Sequence, residues 1–366
     1  MAFSFDGTDP ANAPLLQKIR ALSLKLFGKE IVLLGQHPAF GEALQKLERF
    51  APSDEPVLIT GESGVGKELF AKSLYLLSKR NSSPYVCVNC GRFDDENLVV
   101  SELFGHAKGS FTGAVQDRQG VFESANGGMI LLDEIGELSL RAQKMLLRVI
   151  EQKEITPLGS TKTRQVDIRV LSATHRDLAG MAEASQFRED LFYRLNCLHL
   201  HVPALRERGG DRILLLQYYL NKLNEAHGVE KQFSPEARAY LKQYAFPGNI
   251  RESKNIVETG FRVCEGNMIQ LNDITEKVQN QRRSDLLPMD IADYYNRMVE
   301  KHECFWEAIK KPFMNRELNR SQVRAVIQKG LHEKGSYKGL LRLFNIPPQD
   351  YKEFLNFLHA QRLNHD

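Results

Sequence analysis

At 366 residues the chain is long enough for two or three domains, each with its own hydrophobic core. Its net charge of +3 neither requires nor excludes nucleic acid, so charge has to be considered locally. No apolar run approaches the ~20 residues of a membrane span, and the first residues lack the layout of a signal peptide. The five cysteines are scattered, which indicates a reducing compartment, so we expect a cytoplasmic protein without membrane contact.

Taken in order, the chain begins with a short lead-in over residues 1–30 that contains one amphipathic helix. From 31 to 205 apolar runs alternate with helical stretches, which is typical of an α/β domain with a parallel sheet covered by helices. Residues 206–283 show only helical patterns and end in a polar linker near 279–284. A small all-α unit follows over 284–366. The predicted strands are Val57–Thr60, Tyr85–Asn89, Met129–Leu132, Ile168–Ala173 and Leu198–Val202.

The first predicted strand leads into a glycine-rich segment and then into residues with helical spacing. Strand, glycine loop and helix are the context of a P-loop, in which backbone N–H groups converge on phosphate and Lys67 reaches the outer phosphates. A magnesium-binding hydroxyl usually follows the lysine, but Glu68 stands there. Taken alone, the pattern also fits a plain glycine turn. The segment is Gly61-Glu62-Ser63-Gly64-Val65-Gly66-Lys67-Glu68.

A second nucleotide motif lies downstream, where Met129–Leu132 predict a buried strand that delivers Asp133 and Glu134 at its carboxyl end. In an open α/β sheet that edge is where ligands bind. Asp133 is therefore the candidate magnesium ligand, and Glu134 is the candidate that polarises the attacking water. The alternative is an acidic helix start without catalytic work, since Asp and Glu favour that position.

Two short patterns of metal-binding residue types favour structural roles. Cys87 and Cys90 have C-x-x-C spacing, but they lie in a predicted strand without a second cysteine pair nearby, so we expect them to be buried. His199 and His201 bracket a leucine at strand spacing. We expect them at the edge of the sheet rather than in a metal pair.

Between the two nucleotide motifs, small residues and glycines surround a single aromatic residue, Phe111. Such a composition is poor for a helix or a strand, and it favours a hinged loop with an apolar tip. Phe111 is either a core anchor or an exposed, movable contact for another protein. The segment is Gly109-Ser110-Phe111-Thr112-Gly113-Ala114.

At these residues the sequence resembles the bacterial enhancer-binding proteins, the AAA+ ATPases that activate sigma-54 RNA polymerase. The loop around Phe111 is similar to their G-A-F-T-G-A loop, with Ser110 replacing an alanine. The family's own P-loop reads G-E-S-G-x-G-K-E, which accounts for Glu68. The resemblance covers about residues 34–275. It implies an AAA+ domain over 31–205, an α-helical lid over 206–283, and ATP and Mg²⁺ as cofactors.

The resemblance also implies roles for single residues near the phosphates. Asn89 matches the asparagine that holds the catalytic glutamate. Thr174 and His175 match the end of the sensor I strand, where the family generally has threonine and asparagine. A histidine can donate a hydrogen bond as asparagine does but, unlike asparagine, it is a residue type that can titrate near neutral pH. Arg251 matches the sensor II arginine of the lid, which reaches the phosphates.

Arg188 and Arg194 match the arginines that reach the nucleotide of the neighbouring subunit. A guanidinium group there stabilises the charge that develops on the transferred phosphoryl group, an effect worth about 10³–10⁵ in rate. From the residues alone, surface ion pairs with Glu189 and Asp190 are the simpler explanation.

The last block resembles the Fis-type helix-turn-helix that closes most members of the family. Helices are predicted at 321–333, 337–344 and 349–361. Basic residues outnumber acidic ones by nine to two between 310 and 342, as a phosphate-facing surface requires. Asp350 and Glu353 lie where base-reading residues belong, so a helical bundle that serves oligomer contacts is the alternative. The candidate DNA contacts are Lys338, Arg342, Gln349, Lys352 and Asn356.

These patterns together predict a sigma-54-dependent transcriptional activator. Its subunits would form a ring, a hexamer, and ATP hydrolysis would move the 109–114 loops against the sigma factor. One alternative is an AAA+ ATPase that remodels a different protein without sequence-specific DNA binding. A second is a binding module with an inactive nucleotide site, which the intact Lys67, Asp133, Glu134 and Arg188 argue against. No receiver-like block precedes the predicted ATPase domain, so we expect control unlike that of a two-component regulator.

Overall fold

The computed structural model describes residues 12–92, 96–110, 114–274, 291–314, 318, 320–361 and 363. These residues divide into two compact units after Asp273. The predicted linker near 279–284 and the loop-tip residues Phe111, Thr112 and Gly113 lie outside the described residues.

The central sheet consists of five parallel strands that coincide with the predicted runs to within a residue. They are β1 Val57–Thr60, β2 Tyr85–Asn89, β3 Met129–Asp133, β6 Arg169–Thr174 and β7 Leu198–His201, in the spatial order β2-β3-β6-β1-β7. Asn89 lies opposite Asp133, and Thr60 lies opposite Thr174. The register therefore brings the polar strand ends together at the carboxyl edge. Two short strands, β4 Glu154–Ile155 and β5 Arg164–Gln165, form a separate antiparallel pair.

Helices cover both faces of the sheet because alternate strand residues point to opposite sides. In β1, Val57 and Ile59 belong to one hydrophobic core, whereas Leu58 belongs to the other. Helix starts follow local chemistry: the Ser139 hydroxyl, for example, accepts the Ala142 N–H at 3.3 Å. The helices are α1 Ala13–Phe27, α2 Pro38–Phe50, α3 Lys67–Leu77, α4 Glu96–Phe104, α5 Val121–Ser124, α6 Leu140–Gln152, α7 Leu178–Glu183 and α8 Glu189–Leu195.

The helix predicted in the lead-in is part of the first core. Leu15, Leu16 and Ile19 of α1 are buried against the residues that surround α3. Phe27 stacks on Tyr75 of α3 with ring centroids 6.0 Å apart. This helix therefore supports the back of the helix that follows the glycine loop.

After β7 the chain becomes helical, with α9 Asp211–His227, α10 Pro235–Gln243 and α11 Asn249–Val263, and with a short parallel pair, β8 Gln232–Phe233 and β9 Met268–Ile269. A buried ion pair fixes the base of this segment. Arg208 Nε donates to Asp211 Oδ2 at 3.0 Å, and Asp211 Oδ1 accepts the Gln36 N–H at 2.8 Å. Breaking such a buried pair costs about 3–5 kcal/mol, far more than an exposed one.

The second unit is all-α and has its own aromatic core. Its elements are α12 Ile291–Val299, a π-helical turn Trp306–Lys310, α13 Lys311–Met314, α14 Arg320–Lys334, α15 Tyr337–Leu343 and α16 Tyr351–Ala360. Phe305 stacks with Phe344 at 6.0 Å and meets the edge of Phe354 at 5.0 Å. Pro348 opens a 3₁₀ turn, so α16 starts at Tyr351, two residues later than predicted.

The predicted fold class is confirmed: a parallel α/β sheet carries a helical segment and a separate helical unit. Among the described residues, none of the helices has the length and apolar content needed to span a bilayer.

Candidate functional site

The glycine-rich loop between β1 and α3 forms a cradle of backbone amides. Gly61, Gly64 and Gly66 have φ angles of 147°, 79° and 100°, which residues with side chains rarely adopt. Lys67 opens α3 and is buried. Its Nζ turns back to the loop and donates to the carbonyl oxygens of Gly61 at 2.8 Å and Glu62 at 3.1 Å. The loop and its lysine thus have the geometry of a phosphate site.

The helical segment holds the tip of this loop. The Gly64 carbonyl oxygen accepts the N–H groups of Ile250 at 3.0 Å and Arg251 at 3.3 Å, at the start of α11. A Cβ at Gly64 would overlap the carbonyl oxygen of Gly248, so only glycine fits there. The position of α11 is therefore coupled directly to the phosphate cradle.

Glu62, predicted to bind nucleotide, anchors the helical segment in this structure. Its carboxylate accepts two hydrogen bonds from Arg206, at 2.7 and 2.5 Å, and one from Asn249 Nδ2 at 3.1 Å. The bond from Arg206 lowers the pKa of Glu62. Arg251, also at the start of α11, lies with Nη1 3.4 Å from Ser63 Oγ. Arg251 therefore lies beside the glycine-rich loop.

The carboxylates of the second motif crowd the edge of the sheet beside this loop. Glu134 follows β3 in a left-handed conformation, with φ 53°. Such backbone strain costs of order 1–3 kcal/mol and is concentrated at functional sites. Burial raises the pKa of Asp133; the charge of Glu134 adds to this, and that of Lys67 opposes it. Asn89 Nδ2 lies 3.4 Å from Asp133 Oδ2, so the asparagine contacts the first carboxylate, whereas the prediction placed it on the second.

The carboxylate of Glu134 is held by His175. The two side chains meet at 2.7 Å between Nδ1 and Oε2. If the Glu134 carboxylate is ionised it can only accept a hydrogen bond, and Nδ1 is then the donor. Thr174 is buried at the end of β6, where its Oγ1 accepts the Arg176 N–H at 3.0 Å. The strand end thereby fixes the loop that presents the imidazole to the candidate base.

These groups fit a nucleotide together with a divalent cation. A divalent cation would balance the negative charge of these two adjacent, half-buried carboxylates, and Asp133 is the residue that would hold it. Glu68 pairs with Lys72 at 2.5 Å on its own helix. Among the residues the structure describes, no cluster of three His, Cys, Asp or Glu side chains is arranged to hold a metal.

The two predicted arginine fingers are exposed and paired within their own chain. Arg188 precedes α8 and binds Asp190 through two hydrogen bonds, at 3.0 and 2.7 Å. Arg194 donates to Glu151 at 2.8 Å. Their side chains remain 37% and 60% exposed, so a neighbouring molecule can reach both guanidinium groups.

The candidate contact loop rises from a closed stem. His106 and Arg118 exchange two backbone hydrogen bonds, at 3.0 and 2.9 Å, and the Gly109 N–H donates to Ala114 O at 2.8 Å. These bonds close the stem on both sides of the tip residues. Leu158, from the connection between β4 and β5, bonds to the stem through its own N–H and carbonyl. This connection therefore supports the base of the loop.

The substituted position of this loop faces the same connection. A Cβ on Gly159 would lie 2.5 Å from Ser110 Cβ, so the two segments pack without a gap. The Ser110 hydroxyl is buried without a hydrogen-bond partner. The serine is thus accommodated by the glycine opposite rather than by a polar contact.

In the second unit, the predicted DNA contacts are exposed on α15, α16 and the turn between them. The two acidic residues that lie where base-reading residues belong have partners within the unit. Asp350 accepts the Trp306 indole N–H at 3.3 Å, and Glu353 pairs with Lys310 at 2.7 Å. The exposed residues are Lys338, Arg342, Gln349, Lys352 and Asn356.

The structure also bears on the cysteine and histidine pairs. Cys90 is buried as expected, but the expectation for Cys87 was wrong: it is exposed, because β2 is an edge strand. His199 and His201 lie on the other edge strand, as predicted, and both contact Thr60 Oγ1, at 2.7 and 3.2 Å.

Sequence reasoning missed two residues that hold the site together. Arg206 and Asn249 donate hydrogen bonds to the Glu62 carboxylate, although they lie 144 and 187 residues away along the chain. Asn249 adopts a left-handed conformation, with φ 53°, at the first position of α11. Its place two residues before Arg251 was the only available signal.

Comparisons with known proteins agree with this geometry. Residues 33–201 match the family model described as the Sigma-54 interaction domain, and residues 206–288 match the AAA+ ATPase lid domain. The chain is 41% identical over 321 residues to the response regulator protein PilR of Pseudomonas aeruginosa, covering 84% of this chain and 72% of PilR.

Two further similarities extend this result. The sigma54-dependent transcriptional regulator SfnR of Pseudomonas fluorescens is 42% identical over 240 residues, which cover 65% of each chain. The structure of NtrX from Brucella abortus in complex with ADP superposes with a TM-score of 0.62 and 26% identity, covering 90% of this chain and 68% of NtrX.

We predict that ATP hydrolysis requires a hydrogen-bond donor at the place of His175 Nδ1, where it contacts Glu134. In His175→Asn the amide occupies the place of Nδ1, so kcat for ATP hydrolysis should stay close to wild type. In His175→Gln the amide occupies the place of Nε2, Glu134 loses its partner, and kcat should fall by about 10²-fold with KM unchanged. Steady-state ATPase assays of both variants check this. Equal rates in the two variants would assign His175 a merely space-filling role.

Proposed function

The chain belongs to the sigma-54-dependent transcriptional regulators and carries their AAA+ ATPase domain, and we propose that it hydrolyses ATP in a ring oligomer to remodel the closed promoter complex of sigma-54 RNA polymerase. One observation carries the proposal. The glycine-rich loop, which is bonded to the start of α11, and the closed stem of the loop that contains the F-T-G sequence occur in the same compact unit. ATP hydrolysis at the phosphate cradle would supply the free energy, and the loop would supply the movable contact with the sigma factor.

In the proposed reaction, backbone amides of the glycine loop and Lys67 bind the β- and γ-phosphates. Glu134, oriented by His175, polarises the water that attacks the γ-phosphorus. Asp133 would hold magnesium, which neutralises phosphate charge when it is bound. Burial lowers the pKa of Lys67, and the nearby charges of Glu134 and Asp133 oppose that shift.

Hydrolysis would then move the contact loop against the sigma factor. Loss of the γ-phosphate changes what Lys67 and Arg251 contact, and α11 is bonded to the same cradle through Gly64. The stem of the loop is held by backbone bonds to Leu158 and by packing against Gly159. Gly109, with φ 79° and open space around it, is the natural hinge of the moving segment.

Arg188 and Arg194 would complete the nucleotide site of the neighbouring subunit in a hexamer. Both side chains are more than a third exposed, and their surface ion pairs with Asp190 and Glu151 contribute little stability. The phosphates of the neighbour's nucleotide would therefore replace these carboxylates readily. A guanidinium group that reaches the γ-phosphate stabilises the charge of the transition state. Each active site would thus need two subunits.

We predict that activity is shared between subunits. Lys67→Ala lacks a phosphate site but keeps its arginines, and Arg194→Ala has the reverse defect. Each alone should be inactive, and mixing them should restore about a quarter of wild-type ATPase, because one interface in four combines two intact halves in a random ring. The measurement is phosphate release against protein concentration, with Glu134→Gln as a partner that binds ATP without turnover. Wild-type rates from a protein shown to be monomeric would contradict the shared site.

We further propose that the second unit binds DNA upstream of the promoter. Helices α15 and α16 are joined by the short turn 344–350, and the last helix exposes Lys352, Asn356 and His359 at a spacing of four and three residues. These three therefore share one helical face with the donors that base edges require. Asp350 and Glu353 already have partners within the unit, in Trp306 and Lys310.

We predict separate effects for phosphate and base contacts. The double substitution Lys338→Ala/Arg342→Ala should weaken binding to all DNA and reduce the slope of log affinity against log salt by about 1.8. Asn356→Ala should weaken the binding free energy by about 1–3 kcal/mol on a promoter fragment that the protein occupies in cells, and should leave binding to scrambled DNA unchanged. Fluorescence anisotropy on promoter and scrambled duplexes at two salt concentrations measures both. Lys311→Ala, whose lysine is already paired with Glu307, is the matched control.

Absence of DNA binding by the wild-type chain at low salt would reject this role. In that case the oligomer-contact interpretation of the second unit would stand.

A further inference from the structure

Gln143 is a fully buried polar side chain in α6 that lies between the catalytic turn and the first arginine finger. Its Nε2 donates to Leu138 O at 2.8 Å and to Gln186 O at 3.3 Å. Its Oε1 accepts the backbone N–H of Arg188 at 2.8 Å. The amide thus bonds at once to two segments that are distant in sequence.

The first of these segments is the turn that follows Glu134. In this turn the Glu137 N–H donates to Glu134 O at 3.0 Å, and Leu138 N–H donates to Ile135 O at 3.2 Å. Arg176 ties the turn to the His175 loop by donating to Gly136 O at 3.2 Å and pairing with Glu137 at 2.6 Å. A movement at Glu134 or His175 is therefore carried to the carbonyl of Leu138.

The second segment presents the finger. Phe187 is buried in the core, and its N–H and that of Gln186 both donate to Met181 O. Arg188 follows directly, and its backbone N–H is bonded to Gln143. The start of α8, and with it the direction of the Arg188 side chain, is thus set partly by the amide of Gln143.

We propose that Gln143 is a positioning residue that couples the state of a subunit's own Glu134 turn to the Arg188 it offers to the next subunit. This inference rests on the trans-acting arginines of the proposed function. A buried amide suits the task because each of its bonds would be costly to leave unmade, so the turn and the finger segment have to move together. An apolar side chain of the same length would fill the space and release the coupling.

The test replaces Gln143 by Met, which is similar in length but makes none of these hydrogen bonds. ATP binding should be retained, and turnover in the assembled protein should fall by about 10²-fold, as expected for a displaced catalytic group. The decisive step is mixing. Gln143→Met subunits have an intact phosphate site and a misplaced finger, so Lys67→Ala subunits should restore their turnover to about a quarter of wild type. Arg188→Ala subunits should not restore it.

Three results separate the possibilities. A mixture of Arg188→Ala with Lys67→Ala tests the shared site itself; if this control stays inactive, the trans-acting role of Arg188 fails, and the inference fails with it. If the control is restored while Gln143→Met with Lys67→Ala stays inactive, Gln143 acts within its own subunit and the inference alone is wrong. Unchanged turnover in Gln143→Met overturns it equally.

A second variant guards against loss of folding. Gln143→Glu has the same size and keeps an acceptor for the Arg188 N–H, and as the neutral acid it can donate to one of the two carbonyl oxygens. Its turnover should therefore lie between those of wild type and Gln143→Met, again with rescue by Lys67→Ala. If neither variant binds ATP, Gln143 serves folding only and the inference is rejected.

Discussion

The structure depends on the contact between the glycine loop and the start of α11. The Gly64 carbonyl accepts two backbone N–H groups of the lid, and the absence of a side chain at Gly64 lets Gly248 approach it. Glu62 adds a charged clamp to Arg206 and Asn249. In the proposed reaction this loop binds the phosphates, so a change in its backbone on nucleotide binding or hydrolysis would pass directly to the lid. This is a short mechanical path from chemistry to domain movement.

A second hub lies around the strained Glu134. His175 holds its carboxylate, Arg176 holds the following turn, and Gln143 connects that turn to Arg188. The proposed catalytic base, the loop of His175 and the proposed arginine finger therefore share one network of hydrogen bonds. In such a network the loss of a single buried partner affects the others, and in the proposed ring this would link hydrolysis in one subunit to the next.

The five strands and the two nucleotide motifs were predictable from sequence because each is encoded by a short run of neighbouring residues. The contacts of Glu62 were not, since a carboxylate in a P-loop pattern is expected to face ligand, and its partners lie in another part of the chain. Cys87 was misjudged because strand periodicity does not distinguish an edge strand from a central one. The partners of Asp350 and Glu353 were not predictable either, because they lie 44 and 43 residues away along the chain.

The central claim is that ATP hydrolysis is transmitted through the 109–114 loop to sigma-54. The most direct measurement compares ATP hydrolysis with open-complex formation by sigma-54 RNA polymerase in the same mixture, using Thr112→Ala and, as matched control, Ser110→Ala. Removing the unpartnered Ser110 hydroxyl should leave both activities intact. The account predicts that Thr112→Ala hydrolyses ATP at the wild-type rate but forms no open complexes. Normal open-complex formation by Thr112→Ala would contradict it.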